Sequence, residues 1–290
     1  MIRGWLPLMI LPPAVLALRN LFADWVFMWL LAFAIFFGCK WITWHGVDRA
    51  AVSRIRSLAY LMAWPGMDAR EFLTQTPIGH VHSADWARAA GKTILGLGLL
   101  LLAARGTVES PFIAGWAGWV GMTGTILALH FGVFKVLALL YSAAGIAAKP
   151  LMRSPVLAVS LSDFWGNRWN VGFNQLAYDL VFRPLVHTIG VARSTFLVFI
   201  VSGLVHDLVI SLPARGGYGL PTVYFALQGI AVLFERSRAG RALGLRRGWR
   251  GRLFMLVVTI SPVPILFHSA FVTNIVLPML QAIGGIWGKP

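Results

Sequence analysis

The sequence places one imidazole and one carboxylate side by side within an apolar run. His206 and Asp207 are the only ionisable residues of the run 196–210. A carboxylate at the centre of a bilayer helix costs about 2.5–3.5 kcal/mol, so such residues usually face a cavity or a partner. Imidazole is the side chain suited to proton transfer near neutral pH. His206 is therefore a candidate functional residue, and the alternative is a structural histidine hydrogen-bonded to another helix.

A second histidine in an apolar run is a weaker candidate of the same kind. His130 follows Leu129 and precedes Phe131-Gly132, close to a possible helix end. A structural or interfacial position is at least as compatible with this pattern as a functional one. His187 and His268 lie near the ends of apolar segments, and the sequence assigns them no role.

Amide and aromatic residues recur along the segment 160–174. Taken as one helix, the segment carries a polar face with i, i+4, i+7, i+11 spacing and a second, aromatic face. The polar face consists of Asp163, Asn167, Asn170 and Asn174, and the aromatic face of Trp165, Trp169 and Phe173. Uncharged amides that donate and accept hydrogen bonds suit a semi-buried polar cavity. The alternative is an interfacial helix with a capping box at Ser160 and Asp163, anchored by its tryptophans.

The composition indicates that these residues belong to a membrane protein. Hydrophobic residues make up 58% of the chain and charged residues only 12%. A soluble domain of this size needs more charge to cover its surface, which favours an all-α, polytopic transmembrane fold. The net charge of +15 comes mostly from basic residues between apolar runs, so nucleic-acid binding is the weaker interpretation. Because Cys39 is the only cysteine, an intrachain disulfide is excluded.

About eight spans are expected, together with re-entrant or interfacial helices, in a single domain over residues 1–290. The run 5–18 resembles a signal peptide but is retained as a span. The stretch 111–148 is too long for one upright helix, so either an interfacial helix follows a span or a long tilted helix continues. The predicted spans are 5–18, 22–40, 92–105, one within 111–148, 194–212, 219–235, 252–268 and 270–287.

A short apolar segment, 59–68, ends in a Pro65-Gly66 turn and is too short to cross a bilayer. It predicts a re-entrant or interfacial hairpin, and the alternative is a surface helix anchored by Trp64.

The distribution of arginine predicts the orientation. Seven arginines and no acid lie between Arg236 and Arg252, which places this loop in the cytoplasm by the positive-inside rule. Counting spans outward then places both termini in the cytoplasm. Arginine outnumbers lysine and no organelle signal is evident, which favours a bacterial cytoplasmic membrane.

Three motifs, in this order, resemble the wax synthase-like branch of the membrane-bound O-acyltransferases. They are Phe164-Trp165-Gly166-Asn167-Arg168-Trp169-Asn170, Arg183-Pro184-Leu185 and Val201-Ser202-Gly203-Leu204-Val205-His206-Asp207. Further similarities are His130-Phe131-Gly132, the stretch from Tyr224 to Glu235, and Trp64-Pro65-Gly66-Met67-Asp68, so the resemblance covers most of the chain. Asn167 stands where the family usually has arginine, and Asp207 where it usually has glutamate.

The resemblance implies transfer of an acyl group from acyl-CoA to a hydroxyl acceptor, such as a long-chain alcohol. His206 would be the general base, and Asn170 would orient the acceptor or stabilise the oxyanion. Arg168 could hold a CoA phosphate, while Trp165 and Trp169 wall an acyl channel that joins the cytoplasm to His206. Asn167, Asp163 and His130 are the remaining candidate substrate-binding residues.

A transporter or channel is the competing class, with a polar path lined by His206, Asp207, His130 and Lys135, although no inverted repeat supports it. An inactive accessory protein is a third possibility. No cofactor and no metal are expected, because the histidines are dispersed and lack carboxylates at ligand spacing. The expected partners are acyl-CoA, the acceptor and the bilayer, and the sequence does not distinguish a fatty alcohol from other acceptors.

Overall fold

The computed structural model describes residues 2–48, 50, 52–76, 81–109 and 111–286. These residues form helices and connecting loops and contain no strand, which confirms the all-α prediction. The chain divides into two compact units, residues 1–151 with 272–290, and residues 152–271. The single domain expected over residues 1–290 stays a prediction.

Seven helices and a C-terminal one make up the first unit. Its helices are α1 (Ile2–Ala17), α2 (Asp24–His45), α3 (Arg54–Ala63), α4 (Ala69–Thr74), α5 (Ser83–Glu109), α6 (Pro111–Ile126) and α7 (Phe134–Ala143), followed after the second unit by α17 (Leu277–Ile286). Its π-helical turns are Leu127–Val133 and Val272–Val276.

The second unit begins with short helical pieces and continues into longer helices. Its helices are α8 (Leu161–Asp163), α9 (Val171–Ala177), α10 (Arg183–His206), α11 (Leu212–Ala214), α12 (Leu220–Arg236), α13 (Arg238–Ala242), α14 (Gly248–Ile260), α15 (Val263–Leu266) and α16 (Ser269–Phe271). Its π-helical turns are Phe164–Arg168, Tyr178–Phe182 and Asp207–Ser211.

In the described part of the chain, six helical stretches are long and apolar enough to cross a membrane, where the sequence predicts about eight. The six are Asp24–His45, Ser83–Thr107, Gly115–Ala143, Val171–Ala214, Gly248–Leu266 and Ser269–Ile286. The other two predicted spans correspond to α1 and α12, which have 16 and 17 residues. At 1.5 Å rise per residue these two helices are about 25 Å long, slightly less than the hydrocarbon core.

The stretch from Pro111 to Ala143 is helical throughout. Of the two alternatives for 111–148, the structure therefore has the long continuous helix and not a span followed by a separate interfacial helix. The π-helical turn Leu127–Val133 joins α6 to α7 without a break. A π turn inserts one residue into a helix and often occurs at a functional position. His130 lies within this turn.

The segment 59–68 is packed inside the first unit. Tyr60 and Trp64 are buried against Phe72 of α4: the Tyr60 ring is tilted at 5.6 Å between centroids, and the Trp64 ring stacks at 5.7 Å. Fully buried Lys40 donates to the Gly66 carbonyl and lies over the Tyr60 ring. Since Trp64 is only 4% exposed, it cannot serve as the surface anchor of the alternative interpretation. Lys40 compensates for its own burial by fixing the turn.

Helices α10 and α12 pack together closely in the second unit because small residues face larger ones. A Cβ on Gly203 would lie 2.6 Å from the Thr222 Cα, and one on Gly229 would lie 3.2 Å from the Phe199 Cβ. Such approach of backbones is typical of helix pairs in membranes. Gly190, with φ +79°, interrupts α10 near its start. The helix pair therefore begins after Gly190 and includes His206.

Candidate functional site

The segment 160–174, called the tryptophan segment below, is fixed at its start by two helix caps. Ser160 accepts the Asp163 N–H at 3.1 Å, as the capping pattern predicts. Buried Glu235 of α12 accepts the Leu161 N–H at 2.5 Å and the Ser162 N–H at 3.2 Å. A carboxylate is stabilised by the unpaired N–H groups at a helix start. Helix α12 thus holds the beginning of the segment.

The segment is not one continuous helix, which corrects the expected four-residue polar face. Residues Phe164–Arg168 form a π-helical turn, and Asn170 has left-handed backbone angles, φ +42° and ψ +55°. The wider turn and the break at Asn170 change the register, so the 3.6-residue period does not extend through the segment. Asn167 remains beside Asp163, to which it donates at 3.2 Å, whereas Asn174 donates to the Gly166 carbonyl at 2.6 Å.

Arg168 and Asp163 form an ion pair within the segment. The Arg168 Nε lies 2.7 Å from the Asp163 carboxylate, and its guanidinium also reaches the carbonyls of Arg153 and Ser154 at 3.4 Å. Burial favours a raised pKa of Asp163, but hydrogen bonds from Arg168, Asn167 and the Val159 N–H outweigh it and lower this pKa. Both side chains therefore stabilise the segment, and their expected substrate contacts stay predictions.

Trp165 joins the segment to the two long helices. Its indole N–H donates to Gln228 Oε1 at 3.2 Å, and the other end of the Gln228 amide donates to the Val258 carbonyl at 2.8 Å. The Trp165 ring contacts Phe225 of α12 at 5.8 Å and Phe199 of α10 at 5.9 Å. Trp165 therefore lies between the helix that carries His206 and its neighbour.

His206 lies on the other side of Phe225, with ring centroids 4.4 Å apart. Its Nδ1 is 2.7 Å from the carbonyl of Ser202, one turn earlier. A carbonyl only accepts, so Nδ1 carries the hydrogen and Nε2 keeps its lone pair. Among the described residues, none hydrogen-bonds Nε2. The ring is thus held in the tautomer that a base requires.

Asn170 provides an uncommitted amide near the end of the tryptophan segment. Its backbone N–H points to the Met152 sulfur at 3.3 Å, and no residue in the described ranges hydrogen-bonds its side-chain amide. Asparagine is among the few non-glycine residues that tolerate the left-handed region. The half-buried Asn170 amide therefore has unused donors and an unused acceptor.

The remaining candidates have structural surroundings. The Trp169 ring stacks on Phe164 at 5.5 Å within the segment. His130 belongs to the first unit, where its ring faces Phe134 at 5.3 Å. The structure brings Trp165 and His206 onto one shared neighbour, Phe225. The roles assigned to all these residues from the sequence stay predictions.

Residues 148–227 match the model of the membrane bound O-acyl transferase family. The match begins before the tryptophan segment and includes Trp165, His206 and Phe225, while Gln228 and Glu235 lie just beyond its end. The predicted resemblance to this family's wax synthase-like branch is confirmed. The family model thus matches the part of the chain that contains Trp165 and His206.

Curated proteins that this chain resembles have related names. The probable long-chain-alcohol O-fatty-acyltransferase 3 of Arabidopsis thaliana is 30% identical over 133 residues, 43% of this chain and 39% of that protein. The long-chain-alcohol O-fatty-acyltransferase of Simmondsia chinensis is 27% identical over 129 residues, 40% and 37% of the two chains. The acyl-CoA–sterol O-acyltransferase 1 of Arabidopsis thaliana is 31% identical over 98 residues, 29% and 28%. The chain spans about two fifths or less of each relative's length.

The sequence interpretation did not assign a role to the residues that position the tryptophan segment. Gln228 and Glu235 are fully buried and hold the tryptophan segment from α12, while Phe225 contacts both Trp165 and His206. A signal existed, because Gln228 and Glu235 are seven residues apart on an otherwise apolar helix. That spacing puts both polar groups on one helical face.

Proposed function

We propose that this protein is a membrane-bound O-acyltransferase that moves a fatty acyl group from acyl-CoA to the hydroxyl of a long-chain alcohol. The observation that supports this most directly is the imidazole of His206: the Ser202 carbonyl holds its Nδ1–H, and no described residue hydrogen-bonds its Nε2. The relatives favour this function over the transporter alternative, since they are named acyltransferases.

In the proposed reaction, His206 Nε2 takes the proton of the alcohol as its oxygen attacks the thioester carbonyl. The tetrahedral intermediate then expels the CoA thiolate, which recovers the proton from the imidazolium, so the products are an ester and free CoA. A positioned general base contributes about 10²–10⁴-fold to such a step. No cofactor and no metal enter this scheme.

Asn170 is proposed to donate its amide N–H to the oxygen of the intermediate or to orient the acceptor. Its side chain is suited to this because no described residue occupies it, whereas Asn167 and Asn174 donate within the protein. Losing one oxyanion donor typically costs about 10²–10³ in turnover. Apolar surroundings such as Phe225 and Trp165 would exclude water that otherwise hydrolyses the thioester.

The acceptor class is proposed from the relatives. Two of the reported relatives are named for long-chain alcohols and one for sterols. Both acceptors are apolar molecules with one hydroxyl, which suits a reaction next to hydrocarbon. A competition assay with hexadecanol and a sterol, at equal concentration and with one acyl-CoA, distinguishes them, and we expect the wax ester to dominate.

The decisive test replaces His206 by asparagine in purified protein. Asparagine preserves a donor towards the Ser202 carbonyl but lacks a basic nitrogen. We expect His206→Asn to lower turnover of acyl-CoA and hexadecanol to ester by about 10²–10⁴-fold. His187→Asn, at an exposed position before the break of α10 at Gly190, is the control and should retain wild-type turnover. Retained ester formation in His206→Asn would refute the mechanism.

We further propose that the protein lies in a bacterial cytoplasmic membrane with both termini inside. The support is the stretch from Arg236 to Arg252, whose seven arginines are all exposed, together with the excess of arginine over lysine. A cysteine at position 246 tests this, since the single native cysteine, Cys39, is buried. In intact spheroplasts, an impermeant maleimide should label Arg246→Cys only after lysis, and labelling before lysis would invert the topology.

A further inference from the structure

Three polar side chains beyond His206 have no part in the proposed reaction, yet they form one connected chain. The Ser211 hydroxyl lies 2.9 Å from Asp207 Oδ1 and 3.2 Å from His268 Nε2. Ser211 is fully buried and His268 is 4% exposed. Buried polar groups that are fully paired specify one local arrangement. These residues come from the π-helical turn after α10 and from the loop before α16.

The direction of each hydrogen bond follows from the atoms. The Phe271 N–H donates to His268 Nδ1 at 3.2 Å, so Nδ1 holds a lone pair and the ring hydrogen is on Nε2. Nε2–H therefore donates to the Ser211 oxygen. The Ser211 hydroxyl in turn donates to Asp207, with the Gly217 carbonyl at 3.1 Å as its alternative acceptor.

The arrangement is not a hydrolytic triad, although it contains aspartate, serine and histidine. In such a triad, histidine accepts the serine proton and aspartate orients the histidine. Here the only lone pair of His268 is occupied by a backbone N–H, and the serine hydrogen points away from the imidazole. Ser211 is therefore not activated as a nucleophile, and the hydrogen-bonded series Asp207–Ser211–His268 has a positioning role.

Asp207, at the end of this chain, caps α12 from the neighbouring helix. It accepts the Gly219 N–H at 2.8 Å and the Thr222 N–H at 3.0 Å, as well as the Thr222 hydroxyl. A carboxylate at a helix N-terminus satisfies unpaired N–H groups and is favoured by the helix dipole. The first turn of α12 is thus tied to the residue that follows His206.

This tie determines the surroundings of the His206 ring. Thr222 lies against Gly203, where a Cβ would come within 2.6 Å of the Thr222 Cα, so the two helices touch at this level. Phe225, one turn along α12 from Thr222, packs on the His206 ring at 4.4 Å. Any shift at the start of α12 therefore moves the ring that orients the imidazole. A displacement of about 1 Å can cost about 10²-fold in rate.

We propose that His268 is a positioning residue for His206, acting through Ser211 and Asp207. Its Nε2–H fixes the Ser211 hydroxyl, which fixes the Asp207 carboxylate on α12, and α12 carries Phe225 against the imidazole. The loop 215–219 before α12 also holds the His268 ring in place, since a Cβ on Gly217 would lie 2.4 Å from that ring. The inference rests on the proposed function of His206.

Two substitutions of His268 separate its two hydrogen bonds. Glutamine places an amide N–H near the position of Nε2, whereas asparagine places its amide near Nδ1 and leaves Ser211 without a donor. We expect His268→Asn to lower kcat about tenfold with the KM for acyl-CoA unchanged, and His268→Gln to recover most of that loss. Equal activity of the two variants would overturn the proposal.

A double-mutant comparison tests the connection through serine. If His268 acts through Ser211, the variant Ser211→Ala with His268→Asn should lose no more kcat than either single variant. Multiplied losses would show that the two residues act separately and would overturn the proposal.

A spectroscopic measurement distinguishes failure of this inference from failure of the proposed function. In wild-type protein with ¹⁵N-labelled histidine, His268 should show the Nε2–H tautomer and His206 the Nδ1–H tautomer. The His206 signals should move in His268→Asn and remain in place in His268→Gln. This holds whether or not ester is formed, so an inactive wild type refutes the function alone. Unmoved His206 signals in His268→Asn would refute the positioning role.

Discussion

Two histidines lie in apolar helices next to π-helical turns, and their environments differ. His206 directly precedes the turn Asp207–Ser211, and its Nδ1 is 2.7 Å from the Ser202 carbonyl. His130 lies inside the turn Leu127–Val133, and its buried Nδ1 has no hydrogen-bond partner in the described part of the chain.

The difference shows that an apolar context alone does not make a histidine a base. A base needs a fixed tautomer and a fixed ring, which the Ser202 carbonyl and Phe225 provide for His206. The His130 ring is positioned by packing on Phe134, without a polar contact that would select a tautomer. His206 therefore remains the proposed base, and we expect His130 to tolerate replacement by an apolar ring.

The largest expected difference in turnover is found when the same substitution is made at each histidine in turn. His206→Phe should lower turnover by about 10²–10⁴-fold, because it removes the base. His130→Phe should change turnover by less than about threefold and raise the thermal midpoint, since an unpaired buried nitrogen costs about 1–3 kcal/mol. Ester formation and thermal unfolding are measured for both. An equally inactive His130→Phe would erase the distinction between the histidines.

A smaller effect is expected at Asn170, the proposed partner of His206. Asn170→Gly keeps the left-handed backbone and removes only the amide, while Asn170→Ala adds backbone strain. Both should lose about 10²-fold in turnover, and only Asn170→Ala should lose about 1 kcal/mol of stability. Gln175→Ala, at an exposed amide of α9 that has no proposed role in the reaction, is the control. Full turnover in Asn170→Gly would contradict the proposed role of the Asn170 amide in the reaction.

Gln228 tests whether polar contacts, rather than packing, organise the surroundings of His206. Gln228→Leu leaves the Trp165 N–H and the Val258 carbonyl without their partner, at a cost of about 1–3 kcal/mol. We expect a lower thermal midpoint and a severalfold lower turnover. Gln175→Leu, which loses one exposed hydrogen bond to Asp179, should change neither quantity. If Gln228→Leu were as stable and active as wild type, packing alone would organise the surroundings of His206, as it does for His130.

Local features of the fold could be predicted from the sequence, because hydropathy and capping act over a few residues. The predicted run 22–40 overlaps α2 (Asp24–His45) and begins two residues before it, and the Ser160 cap forms as expected. Lys40 was taken as the end of a span, whereas α2 continues through it to His45. Its burial depends on the Gly66 carbonyl, 26 residues away in sequence, which no local pattern indicates.

The candidate site could be predicted only in part, for the same physical reason. His206 follows from hydropathy, since an ionisable residue in an apolar run is conspicuous. The break at Asn170 changes a helical register, and periodicity assumes that the register is constant. The contacts of Glu235 and Gln228 with the tryptophan segment join residues 63–74 positions apart. His268 was left without a role because its partners come from another helix.

The smallest expected effect concerns a charge pair that contacts neither histidine. Asp163 has a lowered pKa because its bonds with Arg168, Asn167 and the Val159 N–H outweigh burial. A carboxyl whose pKa is lower in the folded than in the unfolded protein stabilises above the unfolded value, about 3.9. This stabilisation disappears as the pH falls through the folded pKa. Both side chains are partly exposed, so the pair contributes less than about 1 kcal/mol.

Asp163→Asn should therefore lower the thermal midpoint slightly at pH 7 and have a diminishing effect below about pH 4. Turnover at pH 7 should stay within about twofold of wild type, because the caps from Ser160 and Glu235 still hold the segment. Thermal unfolding of both proteins from pH 3 to pH 7 measures the difference. If turnover of Asp163→Asn fell as far as that of Asn170→Gly, the Asp163–Arg168 pair would be as important for the reaction as the Asn170 amide. The proposed special role of Asn170 in this segment would then be contradicted.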